Sequence, residues 1–190
     1  MSVLGGTKRK TPTSQAQPVV AMSSLIAEGL PLGMVLFTVG DDSSRLAVLS
    51  KEGLRIFRPD EKTLIQEFVS PNPEPVPWDS LQTFPARMSL FGVVLFSSED
   101  YSYSRARVIC MVEGRYQTVF DGSDVNFVDV NNDGVPEILA EDSNSASRMH
   151  MWAWDGARYV DVAQVEQGRL YAPGIIEKVN AISRNSRRSR

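Results

Sequence analysis

From about residue 34 to residue 163 the chain breaks into short runs of Val, Ile, Leu, Phe, Tyr and Trp, separated by clusters of Gly, Asp, Asn, Ser and Pro. This punctuation constrains the fold more than any other feature, because β-branched and aromatic runs bounded by turn residues form strands. A first series covers residues 34–39, 45–49, 54–57 and 64–69, and it ends in Ser70-Pro71-Asn72-Pro73-Glu74-Pro75-Val76-Pro77. Alternating prolines cannot donate ladder hydrogen bonds, so residues 70–78 read as an extended surface spacer. A second series runs over 90–96 and 107–112, then turns at Glu113-Gly114 into 116–120. A third runs over 125–130, 137–140 and 148–154, then turns at Asp155-Gly156 into 159–162. An acid followed by Gly between apolar runs is a hairpin signal, since Gly accepts positive φ without steric cost. The expectation is an all-β fold of antiparallel, blade-like hairpin repeats, with units at about 34–69, 89–120 and 125–162. Their uneven spacing makes the repeats degenerate.

The ends differ from this body. Residues 1–18 are almost wholly polar and cannot offset the entropy of ordering, so they are expected to form a disordered tail. Residues 19–28 read as one short helix, stopped by Gly29 and Pro31. The β-repeat domain then spans 19–175, with room for helix after Tyr171 and a basic, disordered tail at 176–190. Lys8, Arg9, Lys10, Arg184, Arg187, Arg188 and Arg190 hold seven of the twenty basic residues, so residues 11–183 carry thirteen bases against all twenty-three acids. An acidic body repels polyanions and favours cations, which argues against nucleic acid as the partner. The longest mostly apolar run, residues 30–39, is half of the ~20 residues that a spanning helix needs. One cysteine, Cys110, and one histidine, His150, rule out a Cys/His zinc cluster and an internal disulfide.

One segment carries recognisable chemistry. In Asp129-Val130-Asn131-Asn132-Asp133-Gly134-Val135-Pro136-Glu137, oxygen-bearing side chains occupy relative positions 1, 3, 5 and 9, with Gly at 6. Calcium takes six to eight oxygen ligands, and a tight loop can turn its odd-numbered side chains onto one point. The Val135 carbonyl adds a candidate ligand at position 7. Asp129, Asp133 and Glu137 bring three negative charges together, an arrangement that repels itself unless a divalent cation neutralises it. An EF-hand requires an acid at position 12 of such a loop, but Ala140 stands there and both flanks read as strands. Asn-Asp-Gly is also a good metal-free hairpin turn.

On these residues the segment resembles the calcium-binding D-x-N-x-D-G-x-x-D/E loop of FG-GAP (integrin α-like) and VCBS-type β-propeller repeats. Residues 125–130 and 137–140 match its flanking strands, and Met151-Trp152-Ala153-Trp154-Asp155-Gly156 with Arg158-Tyr159-Val160 matches the aromatic WDG-type hairpin that often follows. The resemblance covers residues 125–162. It implies Ca2+ as the bound ion, with Asp129, Asn131, Asp133, Val135 and Glu137 as ligands. Asp41-Asp42 and Glu99-Asp100 in the first two units lack the Asn and Gly and are not expected to bind calcium. Three units are too few to close a propeller ring of about seven blades, so a truncated sector or a small sandwich-like sheet is expected. Members of these families are commonly extracytoplasmic, whereas no signal peptide is readable here.

The function expected is a non-catalytic, calcium-binding module that engages an unknown protein or glycan through loops on a rigid sheet. The alternatives are a calcium-stabilised accessory domain of a secreted hydrolase and a structural domain without metal. The acidic pairs Glu141-Asp142 and Glu99-Asp100 do not suit a catalytic role, because adjacent strand residues point to opposite faces. Trp152 and Trp154 share one face of a strand, as do Met149 and Met151 on the other, which suits packing better than a ligand platform. His150 reads as a solvent-side residue.

Overall fold

A computed structural model of the chain describes residues 19–21, 30–39, 43–71, 77–84, 92–99, 103–142, 145–166 and 169–188. The fold is mostly antiparallel β-structure, as the punctuation implies. Thirteen strands among the described residues form three sheets. Sheet 1 contains β1 (Val19–Ala21), β2 (Gly33–Thr38), β3 (Ser44–Ser50), β4 (Gly53–Asp60) and β5 (Thr63–Pro71), in the order β1-β5-β4-β3-β2. Sheet 2 is the meander β6 (Ser80–Thr83), β7 (Gly92–Glu99), β8 (Tyr103–Val112) and β9 (Arg115–Ser123). Sheet 3 is the meander β10 (Asn126–Val128), β11 (Glu137–Asp142), β12 (Ser145–Trp154) and β13 (Tyr159–Val165). A helix, α1 (Pro173–Arg188), follows.

Short turns set the register. Glu113 and Gly114 both have positive φ, 50° and 74°, the combination a two-residue hairpin needs for its twist to match the strands it joins. They place Val112 opposite Arg115. At the start of β7 a different constraint operates, because Gly92 lies directly against Cys110 in the ladder. A side chain there would collide with the Ile109 carbonyl oxygen and come within 2.8 Å of Cys110 Sγ.

Sheet 2 is buried on both faces. Val93, Leu95 and Ile109 face sheet 1 and share a cluster with Phe37, Ala47, Leu49, Leu54, Ile56 and Trp78. The alternate residues Val94, Ala106, Val108 and Cys110 face sheet 3 and pack with Ile138, Ala140, Trp154 and Tyr159. Strands buried on both faces have no polar side, which explains why Val93-Val94-Leu95-Phe96 and Val108-Ile109-Cys110 are unbroken apolar runs. Sheet 3 is covered on its second face by α1, where Leu139, Met151, Ala153 and Val165 meet Val179, Ile175 and Ile182. The spacing of 175, 179 and 182 puts those three residues on one stripe of the helix. Trp152 and Trp154 pack between sheets, with ring centroids 5.6 Å from Phe120 and 5.5 Å from Tyr159 respectively.

Three local expectations change. Val19–Ala21, assigned above to a helix, instead pairs with β5 as a strand, because Val20 opposite Leu64 extends the sheet by one ladder; the rest of that helix, 22–28, lies outside the described residues. The spacer is not wholly peripheral. Pro71 closes β5, and Trp78 is 1% exposed in the core, with the Arg105 and Arg107 guanidinium carbons 5.2 and 5.0 Å from its ring centroid. The C-terminal segment assigned to a disordered tail is helical through Arg188, because its isoleucines and valine find the open face of sheet 3. The first-unit acids Asp41 and Asp42, and Asp100 of the second, lie outside the described residues, as does the tail at 1–18.

The double-sided core makes a simple forecast. In urea denaturation, Ile109→Ala should lower the unfolding free energy by about 2–5 kcal/mol through the cavity it leaves. Gly92→Ala should cost about 1–3 kcal/mol through overpacking against backbone that cannot move aside. Thr118→Ala, on the exposed side of β9, should stay within about 0.5 kcal/mol of the parent.

Candidate metal site in the third sheet

The loop Asp129 to Pro136 joins β10 to β11, whose register places Val128 opposite Glu137. Strands therefore flank it on both sides, and Ala140, the twelfth residue from Asp129, lies within β11. The arrangement is strand-loop-strand. It differs at both ends from the helix-loop-helix of an EF-hand.

Inside the loop the backbone reverses through two residues of positive φ, Asn132 at 57° and Gly134 at 86°. Asn tolerates this region because its short amide bonds locally, and Gly has no Cβ to obstruct it. The reversal turns successive N–H groups inward. Asp129 Oδ1 accepts from the Asp133 N–H at 3.1 Å and Oδ2 from the Gly134 N–H at 3.0 Å. Asn131 Oδ1 accepts from the Asp133 N–H at 3.1 Å, and Asp133 Oδ1 from the Val135 N–H at 2.9 Å. Asn131 Nδ2 in turn donates to Asp133 Oδ2 at 3.1 Å.

The loop is pinned from both faces of the sheet. Val130 is buried in the cluster beneath α1, while Val135 packs against the core between sheets 2 and 3. At its exit the Tyr159 hydroxyl donates to the Pro136 carbonyl at 2.7 Å. Burial pushes the Tyr159 phenol far above its ordinary range, so it remains a neutral donor. Tyr159 and Ser183, whose hydroxyl lies 3.4 Å from Asn131 Nδ2, are the site residues that sequence reasoning missed. The recurrence of Tyr after both acid-Gly turns was the available signal for Tyr159; nothing local marks Ser183.

Glu137 closes the loop and is the most strained electrostatically. It is 1% exposed, and its Oε2 accepts from the Val130 N–H at 2.9 Å. Burial raises its carboxyl from the ordinary 4.5 to about 7, opposed by the Val130 hydrogen bond and reinforced by the charges of Asp133 and then Asp129. Among the described residues, no lysine or arginine pairs with it. The three carboxylates thus sense one another, as the sequence spacing implies. Nearby, Glu141 is also raised, first by burial and then by the Asp124 carboxylate, so its acidic neighbour is Asp124 across the sheet end. His150 bonds Asp161 at 2.8 Å and stands outside the loop.

The donor set suits a hard cation. Each carboxylate oxygen has two lone pairs, so one accepted N–H leaves capacity for a metal. A buried carboxylate beside two others is the setting in which a divalent ion relieves repulsion. In the arrangement the structure adopts, the loop's own amides hold these oxygens, and no three His, Cys, Asp or Glu side chains among the described residues are grouped to hold a metal ion. Comparison with protein-family models, curated proteins and solved structures finds no match to this chain.

The sign of the Glu137 shift sets a pH dependence. Between pH 4.5 and about 7 the folded chain binds more protons at this group than the unfolded chain, so in chelator stability falls as pH rises through that window. Glu137→Gln should flatten the fall and, at pH 8 in chelator, stabilise the protein by about 1–3 kcal/mol. Melts from pH 5 to 8 in EDTA check this; an unchanged slope in the variant would place the titration elsewhere.

Proposed function

We propose that this chain is a non-catalytic, calcium-binding β-repeat module of the FG-GAP/VCBS kind, which holds Ca2+ at Asp129, Asn131, Asp133, the Val135 carbonyl and Glu137 and engages a protein partner. One observation carries the calcium reading: a buried, unneutralised Glu137 closes a D-x-N-x-D-G loop between two paired strands. The stacked meanders accord with three blades of a propeller sector. Bound calcium would supply the positive charge that the loop lacks, and the oxygens of these five residues would hold it.

For the partner, a protein is favoured over a glycan. Among the described residues, Val19, Leu30, Leu32, Met34, Leu36 and Val69 account for all but one of the large apolar side chains left exposed, and all six lie on or beside sheet 1. Leu32, just before β2, and Met34 and Leu36 within it point alternately to one side of the last strand of this sheet. β6 lies along β2, with Gly33 packed against Leu81, so what β2 offers a partner is its apolar stripe, a surface on which a protein's own apolar side chains can be buried. The metal-free reading has its own support, because the loop amides satisfy the carboxylates of Asp129 and Asp133 without an ion.

A thermal melt separates the two readings. Calcium at about 100 times its dissociation constant should add roughly 2.7 kcal/mol to stability, and magnesium less, since the smaller ion demands a compact octahedron and keeps its waters. Asp129→Ala and Asp133→Ala should each abolish the calcium response, while Asp41→Ala and Asp100→Ala leave it intact. Identical melting of the parent in calcium and in EDTA would make the loop a turn and nothing more.

A further inference from the structure

The calcium loop and the C-terminal helix meet at two points, one apolar and one polar. Val130, the second residue of the loop, is 5% exposed in the same buried cluster as Val179 and Ile182 of α1. Its neighbour Asn131 directs Nδ2 toward Ser183 Oγ at 3.4 Å, the long end of hydrogen-bonding range, and toward Asp133 Oδ2 at 3.1 Å. An amide has one oxygen and one nitrogen on its end carbon, so fixing the nitrogen fixes the oxygen. With Nδ2 held toward α1 and Asp133, Oδ1 is left facing the loop interior, where it already accepts the Asp133 N–H. The remaining link runs through the backbone: the Val130 N–H bonds the buried Glu137 carboxylate, while the Val130 side chain lies under the helix.

The geometry points to α1 as a working part of the cation site: Ser183 positions Asn131 for the metal, so that calcium binding and the docking of α1 on sheet 3 strengthen each other. This inference rests on the calcium reading above. Without an ion, mutual repulsion among Asp129, Asp133 and Glu137 favours looser loop conformations, and each of those removes a foothold of the helix. With the ion, the loop is confined to the form in which Val130 is buried and Asn131 reaches Ser183. An opposing term exists, because neutralising an acidic loop weakens its attraction for a basic helix. Lys178 and Arg184 are exposed, however, and attraction between solvated charges is screened. The ordering of the loop therefore decides the sign. Because the coupling is thermodynamic it is reciprocal, and loosening the helix must weaken the ion to the same degree.

The test uses the full-length chain as parent, Ser183→Ala, Ser183→Thr and Asp129→Ala. Calcium affinity is measured by titration calorimetry, and amide exchange over residues 173–188 is followed by mass spectrometry with calcium or chelator, with peptides from residues 44–60 of sheet 1 as internal reference. Calcium should slow exchange in α1 of the parent several-fold more than in the reference, and Asp129→Ala should lose that effect. Ser183→Ala should weaken calcium about three- to tenfold while Ser183→Thr, which keeps the hydroxyl, stays near the parent. If the parent takes up calcium but α1 exchanges at one rate in both buffers and Ser183→Ala binds as tightly, the helix is only a cover for sheet 3, and the calcium reading survives alone. A parent that shows no calcium heat overturns both.

Discussion

The stack depends on the central sheet being apolar on both faces. Val93 and Leu95 point to sheet 1 while Val94 and Phe96 point to sheet 3, because successive side chains of a strand alternate. A sheet built this way cannot be solvated on either side, so neither neighbouring layer is dispensable to it. The same rule passes outward. Sheet 3, with Ile138 and Ala140 facing inward and Leu139 and Met151 outward, would expose its second face were α1 not laid across it. Helix α1 thus gives sheet 3 the apolar cover that sheets 1 and 3 give sheet 2.

This packing also places the loop. Val130 and Val135 are held in different clusters on opposite sides of sheet 3, so the intervening residues, Asn131 to Gly134, must reverse within a fixed span. The positive φ of Asn132 and Gly134 is the backbone's way of doing so. The inward amides that result can satisfy Asp129 and Asp133, whereas Glu137 is buried with its carboxylate accepting the Val130 N–H and its own backbone N–H. Desolvation acts on that carboxylate more strongly than its hydrogen bonds do, as the upward shift of its proton affinity records. A proton or a cation relieves the same strain, and this competition underlies the proposed function.

The two ends of the stack differ. At one end α1 buries its Ile and Val stripe on sheet 3 and turns Glu177, Lys178 and Arg184 to solvent. At the other, Val48, Phe57 and Leu64 of sheet 1 form a small buried cluster while Met34 and Leu36 on the edge strand remain exposed. Isolated apolar residues on a surface are ordinary, but alternating ones on an edge strand are a feature that soluble proteins usually suppress with Lys, Pro or a bulge. β2 has none of these devices, since Gly33 to Thr38 pair with β3 in unbroken register, and it is β6 that packs beside it, with Leu81 against Gly33.

Turn residues and apolar runs were enough to read the all-β class, the hairpins at Glu113-Gly114 and Asp155-Gly156, and the oxygen spacing of the loop from Asp129 to Glu137, because each depends on residues close together in the chain. The inter-sheet role of Trp152 and Trp154 followed from strand parity for the same reason. The tertiary structure alone decided the rest. Val19–Ala21 is a strand because β5 offers it a ladder more than forty residues away, and Trp78 is core because Arg105, Arg107 and sheet 1 enclose it. The basic C-terminus is helical because an apolar face of sheet 3 stands open to it, and the same docking brings Ser183 within 3.4 Å of Asn131, fifty-two positions away. Local chemistry is written in neighbouring letters, but burial is a property of which distant surfaces meet, and that is settled only when the layers pack.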